Sequence, residues 1–269
     1  MLGRLLAVLL LVLAAGCETV ETTQPGTVGV DRSQRMLVSS KEVDDSARQA
    51  YAKMMSEAQK KGVLDRDAAA LQRVRAITQR LVPQTTAFRK DAGSWPWEVH
   101  VITTDEVNAW CMPAGKMAVY TGLINKLKAT DDELAAVMGH EIAHALREHS
   151  REQISRQVGT QTAIGIAGAL FGVGDLGQSL AGMVADVTLN LPKSRTAEEE
   201  ADRIGVELAA RAGYNPHAAV SLWEKMNKLG GSAGPSFLST HPSPENRLSD
   251  LRQYSERVMP LYKAAVAKR

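Results

Sequence analysis

Apolar residues recur at helical spacing over two stretches early in the chain. From Ser46 onward this spacing predicts a helix that is interrupted at 64–66. Asp67 is placed to cap a second helix, whose apolar positions continue to Leu81. Pro83 then ends that helix, because proline lacks a backbone N–H group. The early part of the chain is therefore predicted to be mainly helical.

Shorter runs of apolar and β-branched residues follow and predict three strands. The first covers 97–103, and a turn at 105–108 comes after it. Ala109–Met112 and Lys116–Tyr120 predict a pair of strands, because Pro113–Gly115 between them is typical of a tight turn. Helical spacing dominates the remaining sequence. This order indicates an α+β fold that is mostly helical and has a small sheet.

The amino-terminal segment has the pattern of an export signal. A positively charged start precedes an apolar run over 5–15, which is too short for a membrane span of about 20 residues. Small residues then lead into Cys17. This order resembles a bacterial lipobox, in which the chain is cut before a cysteine that becomes lipid-modified. The alternative is a plain secretory signal with a chance cysteine. If the cysteine is lipid-modified, the same resemblance implies that Glu18 directs the protein to the periplasmic face of the outer membrane.

These features divide the chain into three parts. Residues 1–16 are predicted to be a lipoprotein signal peptide, and residues 17–29, rich in Thr, Gly and Val, a lipid-attached flexible tether. Residues 30–269 then form a single domain. Within that domain, 162–191 is rich in Gly, Ala and branched apolar residues, so a helical hairpin, a mobile lid and a lipid-contacting patch all fit its pattern.

Composition narrows the class of protein. The chain has 269 residues, of which 44% are apolar and 23% charged, as in an ordinary globular domain. A net charge of +2 and an aromatic content of 4% argue against a surface that binds nucleic acid. Cys17 and Cys111 are too few cysteines for a disulfide framework.

His140 and His144 lie four residues apart within a predicted helix. The sequence Thr130-Asp131-Asp132-Glu133 is a capping box that opens this helix, so both histidines lie well inside it. Residues at this spacing share one helix face, and both imidazoles can therefore reach one metal ion. Glu141 is placed beside them to take a proton from water. At this composition the pattern arises by chance roughly 0.01 times per chain.

A hydrolytic zinc site needs a third protein ligand. His149 lies about 180° around a continuous helix from His140, so we interpret it as a surface or packing residue. The third ligand must therefore come from elsewhere in the chain.

The acidic run at 198–202 is the best source of that ligand. On a helix, Glu198 and Asp202 share the face of the buried apolar stripe, whereas Glu199 and Glu200 point towards solvent. A buried carboxylate needs a cation or several hydrogen bonds. We therefore predict Glu198 as the third ligand and Asp202 as the holder of the outer nitrogen of a zinc histidine. An exposed acidic helix end is the alternative.

Four ordered motifs resemble the HtpX-like and CAAX-prenyl-protease-related zinc metalloendopeptidases, a gluzincin family. The resemblance extends from about residue 30 to residue 251, and the lipobox favours the branch of periplasmic lipoproteins. It implies one zinc ion per chain and a gluzincin core. The motifs are His140-Glu141-x-x-His144, the segment 194–202, the segment 108–123, and His241-Pro242 with Arg247.

The resemblance also implies roles for residues outside the zinc ligands. His241 would face the metal, either to stabilise the oxyanion or to occupy a fourth zinc position, and Arg247 would support that arrangement. An edge strand would bind the extended backbone of a substrate by β-augmentation. The residues of that strand segment are Asn108, Ala109, Trp110, Cys111, Met112 and Pro113.

The sequence thus predicts a zinc endopeptidase that cleaves misfolded or damaged proteins of the cell envelope, with Glu141 as general base. A lipid on Cys17 would hold it at the membrane, and no nucleic acid is expected as a partner. Two alternatives stay open. One is a chaperone-like lipoprotein that holds envelope proteins without cleaving them, and the other is a zinc hydrolase that acts on a different bond.

Overall fold

The computed structural model describes residues 18–164, 173–229, 236–242 and 245–268. The described chain begins with a short antiparallel pair of strands, β1 (Glu18–Val20) and β2 (Gln34–Met36). Two long helices follow, α1 (Ser40–Lys60) and α2 (Ala68–Leu81). Asp67 caps α2 as predicted, since its side chain accepts a hydrogen bond from a backbone N–H group of the first turn.

A three-stranded sheet lies in the middle of the chain. Its strands are β3 (Glu98–Ile102), β4 (Ala109–Met112) and β5 (Lys116–Tyr120), in the order β3-β5-β4. β5 pairs in parallel with β3 and antiparallel with β4. Ala114 and Gly115 make the turn between β4 and β5 with positive φ angles of 60° and 73°. The three predicted strands are confirmed, and β4 lies at an edge of the sheet.

Helices make up the rest of the described chain and confirm an α+β fold that is mostly helical. Among the described residues, none of these helices has the length and apolar content to cross a membrane. They are α3 (Thr121–Lys126), α4 (Asp131–Leu146), α5 (His149–Ile164), α6 (Val173–Leu189), α7 (Arg195–Arg211), α8 (Ala218–Leu229), α9 (Ser236–Thr240) and α10 (Arg247–Val266).

Local sequence explains where the two central helices begin. Thr130 and Glu133 form the predicted capping box of α4, each side chain bonding the other residue's backbone N–H group. The Ser194 side chain caps α7 by accepting from the N–H group of Ala197. α4 and α7 then pack against each other in the core.

Two glycines allow α4 and α7 to cross at very short range. A Cβ atom on Gly205 would lie 2.7 Å from the backbone nitrogen of His140, and one on Gly139 would lie 2.8 Å from the carbonyl oxygen of Gly205. No larger residue fits at either position without moving a helix backbone. This contact is what brings the histidines of α4 to the same interior space as the carboxylates of α7.

The segment predicted as a flexible tether differs from that expectation over 18–29. Thr22, Thr23 and Val28 are buried, and the N–H group of Gln24 donates to the carbonyl oxygen of Phe88 at 2.7 Å. The segment folds because its polar groups find partners on the domain, a property that composition does not reveal. Cys17, the predicted lipidation site, lies outside the described residues.

The region 162–191 lies partly outside the described residues, since 165–172 are not among them. The helix α6 packs along α1, and its residues Leu180, Val184 and Val187 are buried in a cluster that also includes Trp110 of β4. These three apolar residues therefore pack towards α1 and the sheet, as the buried face of a helix does.

Replacing Gly205 with alanine should destabilise the protein by about 1–3 kcal/mol, because the new methyl group would push α4 and α7 apart. Thermal unfolding followed by circular dichroism measures the change. Gly182→Ala is the matched control: this exposed helical glycine has open space around it, so alanine should stabilise by about 0.5–1 kcal/mol. Equal melting temperatures for the Gly205 variant and the wild type would contradict the close crossing.

Candidate metal centre

Four side chains converge in the interior between α4, α7 and the end of α9. One ligand atom from each of His140, His144, Glu198 and His241 lies within 4.8 Å of the others. The Nε2 atoms of the two α4 histidines are 3.1 Å apart. The carboxylate oxygens of Glu198 lie 3.3 Å from Nε2 of His144 and 3.6 Å from Nε2 of His140. The structure thus brings together the three predicted ligands, with the predicted His241 beside them.

The donor set fits a zinc ion. Both carboxylate oxygens of Glu198 and Nε2 of His241 are buried and make no hydrogen bond to any residue that the structure describes. Buried polar atoms are normally paired, so these atoms face a space where a cation would satisfy them. Two imidazole nitrogens and one carboxylate oxygen are a donor set typical of catalytic zinc, which keeps a further position open.

The charge of Glu198 is maintained by its neighbours. Burial alone would raise the pKa of this carboxyl, but His241, His140 and Arg247 together hold the pKa below its usual range. An ionised carboxylate is the form that binds a metal.

Arg247 and Asp202 support the cluster from behind. The guanidinium of Arg247 lies 2.7 Å from Oδ1 of Asp202 and 3.1 Å from Oε2 of Glu198. It also stacks on Trp223, with its central carbon 3.3 Å from the ring centroid. Oδ1 of Asp202 is 3.0 Å from Nδ1 of His140, although the two groups are not aligned for a hydrogen bond. Both residues thus lie beside the predicted ligands His140 and Glu198, and their supporting roles stay a prediction.

Glu141 occupies the side of the cluster that faces His241. Its Oε1 lies 3.3 Å from Nε2 of His241, and both side chains are almost fully buried. Burial and the charge of Glu198 together, against the opposing effect of His140, raise the pKa of Glu141 to about 7. A carboxyl that titrates near neutrality can both take up and release a proton.

A lysine that the sequence analysis did not single out lies close to this cluster. Lys193 is almost fully buried, and its backbone N–H group donates to the carbonyl oxygen of Thr240 at 2.9 Å. Its Nζ donates to the carbonyl oxygen of Val187. These two bonds join the end of α6 to the residue before His241.

The predicted substrate segment lies next to the cluster but is covered. Residues 108–113 are all buried, and β4 packs against α4. Trp110 and Met112 lie in the cluster that α1 and α6 share, and burial raises the pKa of the Cys111 thiol. The segment therefore borders the site as predicted, with its side chains directed into the core.

His149 and Glu200 are both buried. Burial fits the packing role that is one of two interpretations of His149, but it differs from the predicted exposure of Glu200. Nδ1 of His149 lies 2.8 Å from Nδ1 of His144, and Glu200 is only 5% exposed. The helix-angle argument does not apply to His149, because α4 ends at Leu146 and Glu148 adopts a positive φ of 51° before α5 begins. Helical spacing also could not reveal that arginines cover the outer face of α7 at Glu200.

Comparison with known proteins identifies the family. Residues 68–255, more than half of the chain, match the sequence profile of Peptidase family M48. The chain belongs to this family. The resemblance to a metalloendopeptidase family, drawn from the four motifs, is therefore confirmed.

Three relatives show how the similarity is distributed. The mitochondrial metalloendopeptidase OMA1 of Arabidopsis thaliana is 41% identical over 175 residues, which cover 64% of this chain and 35% of that protein. The beta-barrel assembly-enhancing protease of Yersinia pestis is 27% identical over 201 residues, 70% of this chain and 40% of the relative. The metalloprotease LoiP of Escherichia coli (strain K12) is 27% identical over 239 residues, 88% of this chain and 90% of the relative.

This chain spans about a third to a half of the length of the mitochondrial relatives that it matches. The similarity to those proteins is therefore a similarity of the peptidase domain.

Arg247→Met should destabilise the metal-free protein by about 3–5 kcal/mol, because it leaves two buried carboxylates without their counter-charge. Arg252→Met on the same helix is the control. Its ion pair with Glu224 is exposed, so its loss should change stability by less than about 1 kcal/mol. Urea unfolding measures both variants, and equal losses would show that Arg247 does not balance the buried acids.

Proposed function

We propose that this protein is a zinc-dependent endopeptidase that hydrolyses misfolded or damaged proteins of the cell envelope. The observation that carries the proposal is the buried convergence of His140, His144 and Glu198 beside Glu141. Family membership supports cleavage of peptide bonds. The similarity to the beta-barrel assembly-enhancing protease and to LoiP supports an envelope location.

In this proposal His140, His144 and Glu198 hold one zinc ion. When bound, zinc lowers the pKa of water and polarises a peptide carbonyl group. Glu141 takes the proton from the attacking water and returns it to the leaving amine, a role that suits a carboxyl with a pKa of about 7. Asp202 keeps His140 in place, and Arg247 keeps the carboxylate of Glu198 in place.

His241 has two possible roles, and one distance supports both. Its Nε2 lies 3.3 Å from the carboxylate of Glu141, within the same group of four ligand atoms. From this position it either donates to the oxyanion that forms on the substrate or serves as a fourth zinc ligand in a resting state.

The substrate backbone would pair with β4 through the segment 108–113. The position of β4 at the sheet edge and its packing against α4 support this assignment. Because the segment is buried, pairing requires the elements that cover β4 to move. Pairing with a sheet edge requires an extended backbone, which a misfolded protein supplies.

We further propose that residues 1–16 are a signal peptide and that a lipid on Cys17 holds the remaining chain at the outer membrane. The order of charged, apolar and small residues before Cys17 supports this. The next residue, Glu18, is exposed at the protein surface, which supports an attachment point outside the core.

His144→Ala should abolish zinc binding, because it removes one of three protein ligands. Elemental analysis of the purified protein should find one zinc per wild-type chain and none in the variant. His217→Ala is the control, since His217 is half-exposed and pairs with Glu256 far from the ligand cluster. A full equivalent of zinc in the His144 variant would exclude this residue as a ligand.

Glu141→Gln should keep the zinc and lose hydrolysis of casein, because the amide cannot take the proton from water. Glu199→Gln is the control: this half-exposed neighbour of the proposed ligand Glu198 lies outside the cluster, so the variant should cleave like the wild type. Casein digestion with and without chelator makes the comparison. Full activity of the Glu141 variant would refute its role as base. Zinc-loaded wild type that binds casein without cleaving it would favour the chaperone-like alternative.

A further inference from the structure

The two zinc histidines of α4 are supported in different ways. His140 has the carboxylate of Asp202 directly behind it, at 3.0 Å. His144 instead has a second imidazole behind it, since its Nδ1 lies 2.8 Å from Nδ1 of His149. Nε2 of His149 in turn lies 3.0 Å from Oε2 of Glu200. A continuous row of buried groups therefore leads from the ligand cluster to this carboxylate.

The hydrogen positions in this row follow from the geometry. A histidine that binds zinc through Nε2 carries its proton on Nδ1. His144 must therefore donate from Nδ1, and His149 must accept at its own Nδ1. His149 then carries its proton on Nε2 and donates it to Glu200. If His149 were charged, its Nδ1–H group would face the Nδ1–H group of His144. The row therefore requires both imidazole rings to be neutral.

Glu200 is well suited to hold the outer end of the row. Nε of Arg147 donates to its Oε2 at 2.9 Å, and Nε of Arg32 donates to its Oε1 at 2.6 Å. Arg147 is fully buried and is itself bonded to the hydroxyl groups of Thr22 and Thr23, each at 3.2 Å. The carboxylate of Glu200 is therefore held on one side by Arg32, which precedes β2, and on the other by Arg147, which follows α4.

One helix supplies the proposed ligand carboxylate and the two carboxylates behind the histidines. Glu198, Glu200 and Asp202 all belong to α7, and each reaches a different group: the ligand cluster, His149 and His140. The proposed ligand Glu198 and the supports Glu200 and Asp202 therefore all lie on α7. One rigid helix thus sets the orientation of both proposed zinc histidines.

We propose that His149 is a positioning residue of the metal centre, which fixes the ring of His144 for zinc binding and is itself fixed by Glu200. This inference rests on the proposed zinc function. It adds a residue with no direct contact to the ion or to substrate, whose effect acts through the ring of His144.

Two substitutions of His149 separate its hydrogen bond from its volume. His149→Phe keeps a ring of similar size and removes the acceptor, whereas His149→Asn keeps an acceptor oxygen near the place of Nδ1. His217→Phe makes the first change at a half-exposed histidine and is the control. Zinc affinity is measured by competition with a chelator of known affinity. The visible spectrum of cobalt(II) in the same site and the circular dichroism of the metal-free variants are recorded alongside.

We expect H149F to bind zinc about 10–100-fold more weakly and to alter the cobalt spectrum, because the His144 ring loses its fixed orientation. H149N should stay within about threefold of the wild type, and H217F should match it. The inference is overturned if folded H149F keeps wild-type affinity, if H149N loses as much as H149F, or if H149F fails to fold without metal. A wild type that binds no zinc would remove the proposed function as well, whereas unchanged affinity in H149F removes the inference alone.

Discussion

The close crossing of α4 and α7 is the contact on which the rest of the structure depends. Gly139 and Gly205 let the two backbones meet where any side chain would collide. At this distance the histidines of one helix and the carboxylates of the other share one buried space. The sheet, the amino-terminal segment and α10 then pack around this pair of helices.

A buried site of this kind concentrates charge, and the fold balances that charge locally. The three carboxylates of α7 would be costly in an apolar interior without partners. Arg247 from α10 compensates on one side, while Arg147 and Arg32 compensate on the other. Segments from both ends of the described chain are therefore part of the centre, even though they contribute no proposed zinc ligand. The carboxylate oxygens of Glu198, which make no hydrogen bond among the described residues, mark the place where a cation completes the balance.

Periodic spacing could predict much of this arrangement. The helix face shared by His140 and His144, and the face shared by Glu198 and Asp202, follow from 3.6 residues per turn. The strand pair β4–β5 and the capped helix starts followed from local signals in the same way.

The surroundings of His149 and the fold of 18–29 could not be predicted by the same reasoning. The chain turns at Glu148, so no helix angle connects His149 with His140. The segment 18–29 is held by polar contacts such as that of the Val28 N–H group with the carboxylate of Glu207 at 2.9 Å, which leave no periodic apolar pattern. Both features depend on contacts between residues more than 50 positions apart, and the position of His149 depends also on an irregular turn. Local sequence patterns predict neither.

The most direct test of the account is a crystal structure of the zinc-loaded protein with anomalous data collected at the zinc absorption edge. The account predicts one anomalous peak between α4 and α7, about 2.0–2.2 Å from Nε2 of His140, Nε2 of His144 and a carboxylate oxygen of Glu198. A zinc ion bound elsewhere, or a Glu198 carboxylate that does not touch the ion, would contradict it.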